Sequence, residues 1–239
     1  MNKLYLLLLS TLISASLFAQ ANGKHMGSTG VGGDLSIQNN DGKMIPIGAK
    51  DDTQGNPLFL ENWVSGTVLL KNGMKFTDTA LNYSLFEDKL YFKRKEQFFI
   101  VDGNISEFYL VSTQNEENGI TYHFVSGYPA TSNTNENTFF QLLADGKQYQ
   151  LIKWQHKKIR ESYSYGGKSE SEYVTQEAYF VYEKLNRKMI GIGNKANALN
   201  IKSTLSIEES IWKAYLNNHT ANPKSEISMV AFISYLNSL

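Results

Sequence analysis

The chain has 239 residues, of which 41% are hydrophobic and 13% aromatic, and it contains no cysteine. Lys and Arg together number 23, as do Asp and Glu, so the formal net charge is zero. The lack of cysteine excludes disulfides, thiolate nucleophiles and cysteine-based metal sites. The lack of a basic excess disfavours binding to nucleic acid through bulk charge, so we expect no nucleic-acid partner. The composition predicts a globular domain that is stabilised by burial alone.

The N-terminus has the pattern of a secretory signal. Lys3 precedes an apolar run over residues 4–17, and Ala19 and Ala21 occupy the small-residue positions of a cleavage site. The run is shorter than the roughly twenty residues of a membrane-spanning helix, and no Cys follows it that could carry a lipid. We expect residues 1–21 to be removed, leaving a soluble protein in the periplasm or outside the cell with no transmembrane anchor.

Residues 22–33 are small, polar and rich in glycine, and they lack apolar periodicity. We interpret them as a flexible leader. Gly27, Gly30, Gly32 and Gly33 could be aligned with a dinucleotide-binding loop. That loop must follow a buried strand and open a helix, whereas here it follows the predicted signal peptide.

Four Asx-Gly dipeptides then divide the chain into strand-like segments. They are Asp41-Gly42, Asn72-Gly73, Asp102-Gly103 and Asp145-Gly146. Each supplies the positive φ angles of a tight type I′ hairpin turn. The flanking residues alternate in the manner of strands with one buried face. The predicted hairpins pair residues 67–70 with 74–81, 98–101 with 105–111, and 139–143 with 149–154. We expect residues 34–194 to form a mainly β body, an antiparallel, hairpin-rich curved sheet or sandwich.

After about residue 195 the apolar period changes from two to 3.6. Ser206 and Glu209 have the spacing of a capping box in front of an apolar stripe that reaches Leu216. Ser225 offers a second N-cap, and its stripe ends at Leu236. Helices this short are not stable alone. We therefore expect residues 195–239 to form two amphipathic helices, at 206–217 and 225–237, packed on the β body.

Two polar stretches, residues 130–137 and 161–177, are predicted to be solvated loops and candidate contact surfaces. Residues 130–137 and 193–205 are also candidate domain boundaries, since neither stretch carries the period of a strand.

No motif identifies a site for phosphate or calcium. Gly167-Lys168-Ser169 ends like a phosphate-binding loop, but Ser162 stands where that motif requires a glycine. The Asn39-Asn40-Asp41-Gly42 stretch lacks the other ligands of an EF-hand loop and is interpreted as a turn.

The four histidines, His25, His123, His156 and His219, do not have the spacings that bring two imidazoles to one metal. His25 lies in the leader and His219 follows a predicted helix, where a cation favours the C-terminal dipole. His123 and His156 are conceivable bases, but neither has a partner nearby in the sequence. We therefore assign no catalytic, cofactor-binding or metal-binding residue and no cofactor.

Three pairs of acidic residues flank predicted turns, where we interpret them as solvated. They are Asp51-Asp52, Glu87-Asp88 and Glu116-Glu117. A glycosidase requires two carboxyl groups that converge across a cleft, and the spacing of these pairs neither shows nor excludes that arrangement.

Several aromatic residues surround a stretch rich in Gly and Ser. They are Tyr163, Tyr165, Tyr173, Tyr179, Phe180 and Tyr182. Exposed rings beside polar loops could stack on sugars or anchor a partner chain. The alternative, which we prefer, is packing in the core with the hydroxyl groups reaching water.

Several segments together resemble the small exported proteins common in Bacteroidetes-type bacteria. They are residues 17–20, 55–60, 63–68, 81–85, 87–90, 140–143, 151–153 and 233–237. The resemblance covers most of the mature chain and its motifs are structural. No activity is assigned to that group, so the resemblance implies export but no functional residue.

Three functions remain open. The first is a non-enzymatic envelope or secreted protein that binds a macromolecular partner such as another envelope protein. The second is a periplasmic carrier or sensor of an apolar ligand, in which the helices plug a concave β groove. The third is a hydrolase, which predicts a His and a carboxylate meeting in a cleft.

Overall fold

The structure is a computed structural model that describes residues 24–25, 53–95, 97–101, 104–113, 119–163, 169–219 and 222–239. The predicted signal peptide, most of the leader, and the turns at Asp41-Gly42 and Asp102-Gly103 lie outside the described residues. So do Asp51-Asp52, Glu116-Glu117 and the Gly167-Lys168 pair.

Strands make up most of the described structure, and helices follow them at the C-terminal end. The strands are β1 (Lys24–His25), β2 (Thr53–Gln54), β3 (Val64–Leu70), β4 (Lys75–Ser84), β5 (Lys89–Arg94), β6 (Gln97–Ile100), β7 (Ile105–Ser112), β8 (Ile120–Val125), β9 (Phe140–Asp145), β10 (Tyr149–Tyr163), β11 (Ser169–Glu183) and β12 (Lys188–Gly193). The helices are α1 (Ala198–Thr204), α2 (Glu209–Asn218) and α3 (Glu226–Leu236).

The strands belong to one mixed sheet with the order β12-β11-β10-β9-β8-β7-β3-β4-β5-β6. Neighbours along this path are antiparallel, while β1 pairs with β4 and β2 pairs with β11 in parallel. The predicted class, a mainly β antiparallel fold with C-terminal helices, is confirmed. None of the helices in the described parts of the chain has the length and apolar character needed to cross a membrane.

The hairpin at Asn72-Gly73 is confirmed, but its turn is not type I′. The Gly73 N–H donates to the Leu70 carbonyl at 2.9 Å, and Gly73 has φ +85° while Asn72 does not have a positive φ. A type I′ turn needs positive φ at both central residues, so here the glycine alone adopts the left-handed conformation.

The predicted pairing of residues 98–101 with 105–111 is wrong. Strand β6 pairs only with β5 on this path, and β7 pairs with β3 and β8. Phe108 and Leu110 are fully buried in a core that β3, β4 and β5 also enclose. Strand β7 is therefore fixed by its pairing with β3 and β8 and by the burial of Phe108 and Leu110, not by a local hairpin with β6.

Helix α1 was not predicted, and the capping box at Ser206 is wrong. Ser206 has φ +53°, its N–H donates to the Ser203 carbonyl, and the Ile207 N–H donates to the Lys202 carbonyl. These two bonds form a Schellman motif, so Ser206 ends α1 rather than starting α2. Glu209 instead pairs with Lys202 at 2.6 Å. The N-cap at Ser225 is confirmed, since its hydroxyl accepts from the Ser228 N–H at 3.1 Å.

The long strands β10 and β11 carry different layers on their two faces. One face packs on the helices, with Leu151, Tyr179 and Val181 in the same core as Phe232 and Ile233. The other face lies under the loop between β8 and β9, where Ile152 contacts Phe140 and Tyr128.

The two polar stretches are more structured than predicted. Most of the described part of residues 161–177 is strand. The loop at residues 126–139 is held by bonds such as that from the Gly127 N–H to the Glu136 carbonyl at 2.8 Å, and Thr134 and Thr138 are buried within it. This loop forms a fixed wall above the sheet.

Candidate functional site

Two flat rings form the floor of a cleft on the loop-covered face of the sheet. Trp154 and His156 are two residues apart on β10, so both side chains point to the same face. Their ring planes differ by 6° and their centroids are 5.6 Å apart. Opposite them on β11 are Ala178 and Gln176.

Asp88 forms one wall of this cleft from the turn between β4 and β5. The interpretation of Glu87-Asp88 as solvated is wrong. Asp88 is partly buried and accepts a hydrogen bond from the hydroxyl of Tyr83, which is itself buried. Glu87 accepts from the Tyr91 hydroxyl at 2.6 Å. The turn therefore aims both carboxylates at buried phenols rather than at bulk water.

Burial dominates the electrostatics of Asp88. It raises the pKa of the carboxyl group, against the opposing effects of the Tyr83 hydrogen bond, the Phe139 N–H and the charge of His156. Burial and the neighbouring Asp88 also raise the pKa of Tyr83 well above its usual value. The phenol therefore stays protonated and donates a hydrogen bond to the carboxylate, which holds Asp88 in place as an acceptor.

The opposite wall comes from the loop between β8 and β9, which places Asn133, Asn135 and Thr138 at the cleft. The loop is closed by reciprocal bonds between Asn135 and Thr138: the Thr138 hydroxyl accepts from the Asn135 N–H at 3.1 Å, and the Asn135 carbonyl accepts from the Thr138 N–H at 3.0 Å. Amide side chains can both donate and accept hydrogen bonds, so this wall is suited to a polar, uncharged ligand.

The cleft has a volume of about 580 Å³, which lies within the range of small-molecule sites. Its lining combines two flat rings with amide side chains and the acidic residues Asp88 and Glu177, and no Lys or Arg is among the described residues that line it. This chemistry can hold a ligand that has both an apolar face and hydroxyl groups.

Glu177 borders the cleft, but its carboxylate is engaged on the other face of the sheet. Its Oε1 accepts from Lys153 Nζ at 3.0 Å and from Gln155 Nε2 at 2.9 Å. Lys153 and Gln155 alternate with Trp154 and His156 along β10, so they point away from the floor. The cleft therefore lacks the converging pair of carboxyl groups that a two-carboxylate glycosidase uses.

His123 and His219 lie outside the lining of this cleft. His123 Nε2 lies 2.8 Å from Glu107 Oε2, and its ring stacks on Tyr109. His219 stacks on Tyr215 and its Nδ1 lies 3.0 Å from the Tyr215 carbonyl. The side chain of His25 is outside the described structure. The described residues include no group of three or more His, Asp or Glu that could hold a metal.

Core packing, the preferred interpretation of the aromatic residues at 163–182, is confirmed for Tyr179, Phe180 and Tyr182. Tyr179 lies against the helices and Phe180 and Tyr182 lie on the opposite face. Tyr163 is the exception, with 78% of its surface exposed. Tyr165 lies outside the described residues.

Sequence reasoning considered His156 and Asp88 separately and missed the cleft that they share. It also missed Trp154, and it treated the stretches that contain Asn133, Asn135 and Gln176 only as solvated loops and candidate contact surfaces. The available signal was the spacing of Trp154 and His156, which places two rings on one face of any strand that contains them.

No family model, curated protein or solved structure matches the chain. The resemblance to small exported proteins stays a prediction.

Proposed function

We propose that this protein is an exported, non-enzymatic binding protein whose cleft above Trp154 and His156 holds a neutral sugar unit of a glycan. The observation that carries the proposal is the pair of parallel, stacked rings of Trp154 and His156, with centroids 5.6 Å apart, beside amide and carboxylate side chains. The C–H face of a sugar ring packs on a flat aromatic surface, while its hydroxyl groups require polar partners around the edge.

The charges around the cleft favour a neutral ligand. Sugar hydroxyls donate to Asp88 and exchange both kinds of hydrogen bond with Asn133, Asn135 and Gln176. A phosphate or sulfate group would need a cationic partner, and among the described residues no Lys or Arg lines the cleft.

Export supports the same proposal. The signal-like pattern at residues 1–21 is typical of proteins that leave the cytoplasm. The polysaccharides of the cell envelope lie outside the cytoplasm as well. The macromolecular partner in this proposal is therefore a glycan.

A carrier of an apolar ligand is less well supported. Its binding site was expected between the sheet and the helices. That interface contains Ile201, Met229, Phe232 and Ile233, each with 0% of its surface exposed. These side chains fill the space that a lipid would need.

A hydrolase is the second candidate, because Asp88 and His156 line the same cleft. His156 could activate water, and Asp88 lies close enough for its pKa to respond to the charge of His156. The engagement of Glu177 with Lys153 and Gln155 argues against a glycosidase of the two-carboxylate type.

Titration of the mature chain with neutral oligosaccharides tests the proposal. We suggest one-, two- and four-unit oligomers of glucose, xylose, mannose and N-acetylglucosamine, followed by calorimetry and tryptophan fluorescence. At least one series should bind, and Trp154→Ala should weaken its binding at least tenfold. Tyr163→Ala is the control, because it removes an exposed ring outside the cleft and should leave affinity unchanged.

Two results would overturn the proposal: no binding of any oligomer by the wild-type chain, or equal binding by a folded Trp154→Ala variant. Mass spectrometry of the same mixtures after a long incubation distinguishes a hydrolase from a binding protein. A hydrolase would produce shortened oligomers with the wild-type chain, and the His156→Ala variant would not.

A further inference from the structure

A second, smaller cleft adjoins the first at Asp88. Its volume is about 220 Å³, and it lies between the start of β5 and the connection from β6 to β7. Small-molecule sites usually measure roughly 300 to 1,000 Å³. The smaller cleft is therefore too small to be an independent site, but it can extend the larger one.

The same loop borders both clefts. Asn133, Asn135 and Thr138 line the larger cleft, and Asn137 and Phe139 line the smaller one. The Asn137 N–H donates to Asn135 Oδ1 at 2.8 Å, which links the two parts of the wall.

Asp88 is held at the point where the clefts meet. Its carboxylate accepts from the Tyr83 hydroxyl on one strand and from the Phe139 N–H on the loop. Because both donors are supplied by buried residues, the acceptor has a fixed position between the two spaces.

The smaller cleft also has one apolar side and a polar rim. Leu90, Val101, Ile105 and Phe139 are each at most 8% exposed, whereas Asn104 and Asn137 are exposed at its border. Lys89 also borders the smaller cleft, so its rim offers an ammonium donor beside the amide groups, and the hydroxyl groups of a sugar can bond to both.

We infer that the two clefts are successive subsites of one groove and that the ligand is a chain of at least two sugar units. This inference rests on the proposed function. One unit packs beside Trp154 and His156, the next lies at the exposed Asn104 and Asn137, and hydroxyl groups near the linkage donate to Asp88. The protein thus recognises a segment of a polysaccharide rather than a free monosaccharide.

The test is the dependence of affinity on chain length. In the oligomer series that binds, the two-unit sugar should bind at least tenfold more tightly than the one-unit sugar. The double variant Asn104→Ala/Asn137→Ala removes the two rim amides and should reduce this gain at least threefold. It should leave monosaccharide affinity unchanged. Asn186→Ala is the matched control, since it removes an exposed amide from the turn between β11 and β12.

The outcomes separate this inference from the proposed function. If a monosaccharide binds as tightly as its longer oligomers, the inference is wrong and the sugar-binding function stands. If the double variant folds and keeps the full gain, the smaller cleft is not a subsite. If no sugar of any length binds, the proposed function fails and the inference fails with it.

Discussion

The side chain of Asn237 lies directly against Gly146, joining the C-terminal helix to the hairpin between β9 and β10. Asn237 Oδ1 accepts from the N–H groups of Gln148 and Tyr149, each at 2.9 Å. Its Nδ2 donates to the carbonyls of Tyr149 at 3.0 Å and Ile233 at 2.9 Å. One amide therefore joins α3 to the hairpin, and Gly146 provides the space for it.

Gly146→Ala should destabilise the protein, because a methyl group there would overlap the Asn237 amide. We expect the free energy of unfolding to fall by about 1–3 kcal/mol, measured by urea denaturation. Gly191→Ala is the control, since its added carbon would meet only ordinary contacts at 3.7 Å or more.

A double-mutant cycle identifies the cause. In the Asn237→Ala background, Gly146→Ala should lower the free energy of unfolding by much less, because the overlapping amide is absent. Equal costs in both backgrounds would contradict the contact as the reason for the glycine.

Lys157 connects the far half of β10 to the segment that precedes β3. Its Nζ donates to the carbonyls of Asn56 at 2.6 Å and Leu58 at 2.7 Å. Lys157→Met removes the ammonium group that makes both hydrogen bonds, and we expect a loss of about 1–3 kcal/mol in the free energy of unfolding. The exposed neighbour Lys158 serves as the control, and Lys158→Met should change stability by less than about 0.5 kcal/mol. Equal effects of the two substitutions would contradict the role given to Lys157.

Lys153 links the sheet to the first turn of α3. Its Nζ lies 3.0 Å from Glu177 Oε1 and 3.1 Å from Glu226 Oε2. Burial lowers the pKa of Lys153, but the Glu177 hydrogen bond and the two carboxylate charges outweigh it and raise the pKa to about 12. The ammonium group is therefore charged and paired throughout the physiological pH range.

Lys153→Met should leave two glutamates without their cation and cost about 2–3 kcal/mol in the free energy of unfolding. Lys184→Met breaks the more exposed pair with Asp145 and should cost at most about 1 kcal/mol. Urea denaturation of the two variants in parallel measures the difference. An equal loss in the free energy of unfolding would show that burial does not strengthen the contribution of the Lys153 ion pairs to stability.

Asp88 should make stability depend on pH. Its pKa is raised in the folded protein, so its contribution to stability is fully present below the unfolded pKa of about 3.9. The contribution is lost as the pH rises through the folded pKa. Relative to Asp88→Asn, the wild type should therefore lose stability as the pH rises from the unfolded pKa through the folded pKa.

The measurement is urea denaturation of both proteins at several pH values from about 3.5 upward. Asp78→Asn is the control, because Asp78 has the same left-handed backbone conformation, with φ +54° against +56° for Asp88, but an exposed side chain. A stability difference between wild type and Asp88→Asn that does not change with pH would contradict the burial of this carboxyl group.

Local patterns predicted the elements that local interactions stabilise. The hairpin around Asn72-Gly73 and the N-cap at Ser225 were found because a turn or a cap depends on residues within four positions of one another. Ser206 shows the limit of such patterns. Serine three residues before a glutamate fits a capping box, but the same serine also fits the end of a preceding helix. Only the presence of α1 decides between them.

The candidate site could not be predicted from such local patterns. Strand periodicity places Trp154 and His156 on one face, but it does not say that Asp88 lies beside them. That arrangement depends on which strands pair and on where the loop between β8 and β9 folds, and neither is encoded in the spacing of neighbouring residues.

The sequence by itself determined the mainly β class, the position of several strands and the helix that begins after Ser225, because side-chain period and capping act over a few residues. The tertiary structure alone decided that β7 pairs with β3, that Gly146 makes room for Asn237, and that Asp88 lies, partly buried, in the same cleft as His156. These features depend on which apolar faces meet when the sheet curls, and that choice is made by the free energy of burying the whole core rather than by any one segment.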